Sequence, residues 1–175
     1  MTIEVYWSVL CGAASVRKDM SDDNTVLFTG NVTHKLDPKS RVAIPANWKA
    51  AQRDALILIE ACSENYRVLK CYTRQSFAEM VRAIRAHAEA EGLKPGVVDQ
   101  YVGKITGCCF ETEVSSQGKL LIPKPQRERL KLADTATLVG RGSYFEIWAP
   151  ADYEAAHTAD ALGKLELDRI FHILS

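Results

Sequence analysis

Short apolar runs separated by turn-forming polar residues dominate the chain between residues 26 and 148. Runs of this length that are rich in β-branched and aromatic residues predict strands, because a strand presents alternate side chains to the core and to solvent. The predicted strands are 26–34, 41–44, 56–60, 67–72, a stretch that ends at 114, a stretch that ends at 122, 135–140 and 144–148. The polar residues 63–65 predict a hairpin loop between the third and fourth strands.

A different period, with apolar residues at every third and fourth position, marks the segment from Arg74 to Glu91. This spacing predicts the longest helix of the chain, since it places the apolar side chains on one face. Gly92 lies just past the helix, and Pro95 prevents its continuation. Shorter helices are predicted over 46–52, 97–105, 124–131, 151–161 and 165–174. The fold class predicted from these elements is α+β.

One pattern of turn, short apolar strand and terminal proline occurs twice. Residues 36–45 (LDPKSRVAIP) carry it first, and residues 114–123 (VSSQGKLLIP) repeat it 78 residues later. Downstream residues 69–77 also align with 145–153, and an internal repeat of this kind predicts tandem structural units. We predict two pseudo-repeat units, 25–92 and 93–175 with C-terminal helices, that form one β-barrel-like core with peripheral helices. Residues 1–24 are predicted to be a disordered or loosely packed N-terminal extension.

Composition limits the possible functions. The 175 residues are 47% apolar and 25% charged, which is the balance of a soluble globular protein. The sequence contains no run of 18 apolar residues, so no membrane span is predicted. The five cysteines have no zinc-ligand spacing and are expected to be reduced, so no metal or other cofactor is predicted. Lysine plus arginine equals aspartate plus glutamate, so positive charge for a DNA partner would have to be local.

Positive charge does cluster around both copies of the repeated motif. Residues 31–49 contain four basic residues and one acid, and residues 118–131 contain five basic residues and one acid. On an extended backbone Lys39 and Arg41 would share one face, and arginine can bind guanine with two hydrogen bonds. Asp37 would hold these cations in place by pairing with one of them or by capping the turn. The alternative is an ordinary surface ion pair between Asp37 and Arg41.

Four stretches together resemble the MraZ family. They are Phe28-Thr29-Gly30, the motif at 36–45, the second motif at 117–123, and Glu146-Ile147-Trp148. The resemblance covers about residues 25–155, and its first stretch favours Met20 over Met1 as the functional start. It implies two AbrB-like swapped-hairpin units that assemble as a ring homo-oligomer. It also implies a cytoplasmic, nucleoid-associated repressor that binds repeated boxes in double-stranded DNA ahead of the division and cell-wall gene cluster.

The resemblance also implies which residues contact DNA. The expected DNA-binding residues are Lys35, Lys39, Arg41, Gln117 and Lys119, and Asp37 and Ser115 are expected to support the two motifs. The family's Asp-x-x-x-Arg motif is intact only in the first copy, because Ser115 and Lys119 occupy the second. We therefore expect base recognition from the first copy, and phosphate contact or oligomerisation from the second.

Two other classes of function are alternatives to this one. The first is an oligomeric interaction protein of the same fold in which DNA binding is weakened or lost. The second is an enzyme, which the sequence disfavours because no histidine stands with a serine, cysteine or second carboxylate in a catalytic motif. No small-molecule substrate and no membrane partner are predicted.

Overall fold

The computed structural model describes residues 27–48, 51, 55–63 and 65–157. The fold is α+β, as the sequence predicts. Its strands are β1 (Asn31–Lys35), β2 (Arg41–Ala43), β3 (Leu56–Ser63), β4 (Tyr66–Thr73), β5 (Phe110–Thr112), β6 (Lys119–Leu121), β7 (Thr135–Gly140) and β8 (Tyr144–Trp148). Its helices are α1 (Arg74–Ala90), α2 (Pro95–Gly107), α3 (Lys124–Arg129) and α4 (Pro150–Ala156). The predicted extension 1–24, Met20 and the helix over 165–174 lie outside the described residues.

Two antiparallel sheets interleave the two halves of the chain. The larger sheet has six strands in the order β1-β7-β8-β4-β3-β5, and β2 pairs with β6 in a separate two-stranded sheet, which we call the ribbon. Every strand before residue 92 therefore pairs with at least one strand after it. Among the described residues the edge strands β1 and β5 do not pair with each other. The sheet does not close on itself, so the predicted barrel-like core is not confirmed.

A single apolar layer joins the ribbon to the large sheet. Val42 and Leu120, at the centre of the ribbon, are fully buried against sheet residues such as Leu58. Trp48 packs on Phe28 and Phe145 with ring centroids 5.0–5.4 Å apart. Each such side chain contributes about 1.5–3 kcal/mol by leaving water, so the ribbon is held firmly on the sheet. Trp148 is also fully buried, so Trp48 and Trp148 are both core packing residues.

The helices begin where the local sequence provides a start signal. The Thr73 hydroxyl accepts a hydrogen bond of 3.1 Å from the Ser76 backbone N–H, which caps α1. Helix α2 begins at Pro95, two residues before the predicted start, because proline suits the first turn of a helix. Helix α3 ends at Arg129, short of the predicted end at 131, where Lys131 takes a positive φ of 54°. None of the described helices is long and apolar enough to cross a membrane.

Two predicted elements near the N-terminal end of the described chain, a strand from residue 26 and a helix over 46–52, differ from the structure. Strand β1 begins at Asn31 rather than at residue 26, because Gly30 has a φ of 79° that breaks the extended backbone. The predicted helix over 46–52 is a turn at 46–47 in its described part, with only residue 51 helical. Residues 49, 50 and 52 lie outside the described residues.

A buried ion pair links the centre of the large sheet. Lys70 on β4 lies directly opposite Glu146 on β8, and their side chains are 3% and 1% exposed. The Glu146 carboxylate lies 3.7 Å from the Lys70 ammonium, and its other oxygen accepts hydrogen bonds of 2.9 Å from Arg141 Nε and Trp148 Nε1. Buried charges of this kind are tolerated only when they are paired and hydrogen-bonded. Glu146 therefore organises three donors within the sheet.

Candidate nucleic-acid interface

The ribbon presents one polar face to solvent. In its register Arg41 lies opposite Leu121, Val42 opposite Leu120, and Ala43 opposite Lys119. Because side chains alternate along a strand, the buried Val42 and Leu120 point to the core and their neighbours point away from it. We call the outward set the ribbon face: Arg41, Ala43, Lys119 and Leu121. It combines two cations with an exposed leucine.

Two tight loops, 36–41 and 114–119, feed the two strands of the ribbon. In the first loop, Asp37 N donates to Arg41 O (2.9 Å), and Ser40 N donates to Asp37 O (2.8 Å). The second loop makes the same two bonds at the same spacing, from Ser115 N to Lys119 O and from Gly118 N to Ser115 O, both 2.8 Å.

A residue with positive φ stands at the same place in each loop. The first loop has Ser40 at 59°, and the second has Gly118 at 70°. The backbone carbonyl of each of these residues also accepts a hydrogen bond from the segment that follows the other loop. Ile44 N donates to Gly118 O, and Ile122 N donates to Ser40 O. The loops therefore sit at the two ends of the ribbon.

The Asp37 carboxylate organises the first loop. Its Oδ1 accepts hydrogen bonds from the backbone N–H groups of Lys39 (2.9 Å) and Arg41 (3.0 Å), and its Oδ2 accepts one from Arg41 Nε (2.8 Å). These donors, with the Arg41 backbone N–H first, hold the pKa of Asp37 well below its usual range. In the second loop the Ser115 hydroxyl accepts one bond of 3.2 Å from Lys119 N. A neutral hydroxyl thus replaces the carboxylate and provides no charge.

Both cations of the ribbon face converge on Asp37. Arg41 Nη2 lies 2.8 Å from Asp37 Oδ2, and Lys119 Nζ, from 82 residues later in the chain, lies 3.4 Å from the same oxygen. Ser115 removes the carboxylate from the second loop, but Asp37 of the first loop serves both cations across the ribbon. Arg41 and Lys119 remain about one-third exposed.

The other predicted contact residues lie around this centre. Lys39 and Gln117 are exposed in the turns of the two loops. Lys39 therefore does not share an extended strand with Arg41 as predicted, because β2 begins only after the turn, at Arg41. Lys35 is exposed at the end of β1, in the large sheet rather than in the ribbon. The structure thus brings Asp37, Arg41 and Lys119 together and leaves Lys35, Lys39 and Gln117 at the periphery.

Arg127 on α3 is a site residue that the sequence analysis did not single out. Its Nη1 donates to the Ser40 hydroxyl at 2.9 Å, and its Nε donates to Leu132 O at 3.1 Å. Its Nη2 also donates to Ala133 O. The guanidinium therefore fastens the tip of the first loop to the segment that follows α3. The only signal in the sequence is the basic cluster at 118–131, which does not reveal this contact.

Ionised Asp37 is expected to stabilise the fold above about pH 4 and to lose this effect in acid. The pKa of an unfolded aspartate is about 3.9, and the folded pKa is lower, so the unfolded chain takes up a proton first as the pH falls. The melting temperature of the wild-type chain should therefore drop more between pH 5 and pH 3 than that of an Asp37→Asn variant. Circular dichroism melting over this range checks the difference. Parallel profiles would show that the carboxylate adds no stability.

Comparison with known proteins shows what the chain is similar to. A family model described as "MraZ protein, putative antitoxin-like" matches residues 108–163, a range that includes the second loop and β6. A transcriptional regulator MraZ of Ruegeria pomeroyi is 29% identical over 147 residues, which covers 77% of this chain and 84% of the relative. Proteins of the same name from Corynebacterium urealyticum and Roseiflexus castenholzii are 28% and 27% identical. They align with 77% and 73% of this chain, and with 91% and 85% of their own lengths.

Proposed function

We propose that the chain, which is similar to proteins named transcriptional regulator MraZ, is a transcription regulator that binds double-stranded DNA through the ribbon face. The observation that carries this proposal is the convergence of Arg41 and Lys119 on Asp37 at the exposed side of a two-stranded ribbon. A two-stranded ribbon fits the major groove of B-DNA, where each base pair presents a distinct set of donors and acceptors. The similarity to proteins named transcriptional regulator MraZ also supports a protein that is not an enzyme.

Arg41 is the residue best suited to recognise a base. Asp37 engages at most two of its five N–H donors, through Nε and Nη2, so the other donors remain available. The same contact fixes the direction of the guanidinium before DNA arrives. An arginine held in this way can donate two hydrogen bonds to O6 and N7 of guanine. Lys119, as a point charge, is suited to a phosphate instead.

We further propose that the two loops belong to two pseudo-repeat units, and that the chain acts as a ring of subunits on repeated operator boxes. The identical hydrogen-bond pattern of the two loops supports the repeat. A net charge of zero supports the ring, since a single subunit would bind one box weakly. Linked subunits gain affinity through effective concentration. The family resemblance supports repression of the division and cell-wall gene cluster and a place in the cytoplasm at the nucleoid.

Fluorescence anisotropy tests the proposed function directly. The probe is a labelled duplex from upstream of the protein's own gene, and the competitor is a random duplex of equal length. We expect tighter binding of the upstream duplex, by at least tenfold, at each of several salt concentrations. Light scattering on the same sample measures whether the subunits form a closed oligomer. Equal affinity for the two duplexes would overturn sequence-specific binding.

A second candidate function is an oligomeric interaction protein with weak DNA binding. The observation that favours it is that one carboxylate offsets part of the charge of both ribbon cations. Under this alternative, light scattering would report an intact oligomer while anisotropy shows no preference for the upstream duplex. A monomer at micromolar concentration would contradict both the ring and this alternative.

A Lys119→Ala variant should bind operator and random DNA more weakly by similar factors. The loss of one phosphate contact lowers the slope of log affinity against log salt by about one and leaves the ratio of the two affinities nearly unchanged. Lys119→Arg, which keeps the charge, is the matched control and should retain the wild-type slope. Salt titrations with both duplexes make the measurement. If Lys119→Ala abolishes the preference for operator, the second loop also recognises bases.

A further inference from the structure

A pocket of about 570 Å³ lies between the tip of the first loop and α3. Both the loop and the helical segment contribute polar or charged side chains to its wall. The residues that matter for its chemistry are Pro38, Ser40, Lys124, Arg127, Glu128 and Lys131. Three cations and one carboxylate therefore surround a single opening beside the loop that carries Asp37.

The cations of this pocket differ in how firmly they are held. Arg127 is fixed by its bonds to Ser40, Leu132 and Ala133, so its guanidinium forms a rigid wall. The Lys124 ammonium lies 3.9 Å from Glu128, and both side chains are widely exposed, so this pair is weak. Lys131 is also exposed, in the turn after α3. Two exposed ammonium groups beside a fixed guanidinium suit the oxygens of a phosphate group.

The position of the pocket relates it to the ribbon. Ser40 lines the pocket, and the next residue in the chain is Arg41 on the ribbon face. The carbonyl of Ser40 also accepts a bond from Ile122 N, just before α3. When the ribbon enters the major groove, the sugar-phosphate strands run along its two sides. Because the pocket adjoins Arg41 through Ser40, it would then lie close to one of those strands.

We propose that this pocket binds a phosphate group, and that in the complex with DNA the group is a backbone phosphate beside the base pair that Arg41 contacts. The DNA part of this inference rests on the proposed function. Phosphate contacts fix the register of a protein on DNA without reading sequence. The second half of the chain, whose own loop lacks the aspartate and the arginine, would thus hold the DNA for the first half.

The test is a Lys124→Ala/Lys131→Ala double variant, since both side chains are exposed and their loss should leave the melting temperature unchanged. We expect the slope of log affinity against log salt to fall by about two, because two cations no longer release counterions. Affinities for operator and random DNA should fall by equal factors. The matched control is Lys94→Ala/Lys104→Ala, which removes two exposed lysines at the start of α2 and within it. If the slope of log affinity against log salt is the same for the double variant as for the control, the proposed DNA contact is overturned.

Calorimetric titration with inorganic pyrophosphate distinguishes the source of the phosphate. Saturable binding by the wild-type chain that the double variant loses, with no change in the salt slope, would assign the pocket to a free phosphorylated molecule and overturn the DNA contact. No effect in either measurement would overturn the pocket as a phosphate site. If the wild-type chain shows no preference for operator, the proposed function fails. If it binds no DNA at all, the DNA contact fails as well, and the pyrophosphate titration alone decides whether the pocket holds phosphate.

Discussion

An Arg41→Ala variant is expected to bind operator DNA about ten- to a hundred-fold more weakly than the wild-type chain and to lose its preference over random DNA. The loss of a two-bond contact to guanine costs about 1–3 kcal/mol, and about 1.4 kcal/mol corresponds to a factor of ten. Binding to random DNA should fall much less, because it depends on phosphate contacts. Competition binding with the two duplexes gives the ratio of affinities directly.

Matched variants separate base recognition from charge. Arg41→Lys keeps a cation near Asp37 but lacks the planar fork, so it should retain most binding to random DNA and still lose the preference. Lys39→Ala and Lys35→Ala should weaken binding to both duplexes equally and flatten its salt dependence. Each variant must first show the wild-type oligomeric state by light scattering, since a lost oligomer would also weaken binding. If Arg41→Ala binds operator as well as the wild-type chain does, the Asp37–Arg41 pair is only structural.

A Glu146→Ala variant is expected to lower the free energy of unfolding by about 3–5 kcal/mol, which is the usual effect of breaking a buried ion pair. The substitution leaves the Lys70 ammonium without its carboxylate and removes the acceptor of Arg141 Nε and Trp148 Nε1. Typical domains have a total stability of about 5–15 kcal/mol, so this loss is a large fraction of it. Urea denaturation followed by tryptophan fluorescence, at one fixed protein concentration, measures the change.

Glu111→Ala provides the control for this prediction. Glu111 pairs with Arg74, and both side chains are about half exposed or more, so its removal should cost less than about 1 kcal/mol. The comparison isolates the effect of burial, because each variant deletes one glutamate of an ion pair. If the two variants unfold at the same urea concentration, the buried pair in the large sheet contributes no more than a surface pair.

The sequence predicts local elements well where turn residues bound an apolar run. Strands β7 and β8 match the predicted ranges residue for residue, since polar residues or glycine and proline stand at their ends. Helix α1 agrees to within one residue because the Thr73 cap and Gly92 define its limits. The turn of the first loop is also correct, since Asp37 and Pro38 favour it by their own chemistry. Each of these features depends on interactions between near neighbours in the chain.

The side-chain contacts of the site that the sequence does not predict depend on pairing between distant residues. Lys119 reaches Asp37 only because β2 pairs with β6, and a repeated motif does not indicate whether its two copies contact each other. The same pairing places Ser40 within reach of Arg127, 87 residues later. The sequence shows the polar character of each residue but not its partner. Closure of the large sheet into a barrel likewise depends on the two edge strands, whose relation no local pattern reveals.

On the ribosome, β1 emerges long before the strand that it needs. The hydroxyl oxygens of Thr33 on β1 and Thr137 on β7 are hydrogen-bonded at 2.9 Å, although the two residues are 104 positions apart in the chain. At a synthesis rate of about 5–20 residues per second, β1 waits roughly 5–20 s for its neighbour. Meanwhile the β3–β4 hairpin can form from adjacent residues, but the unpaired edges of β1 and β2 are open to other chains. A transcript truncated before the codon for Thr135 should therefore yield an aggregating or rapidly degraded product, not a half-sized regulator.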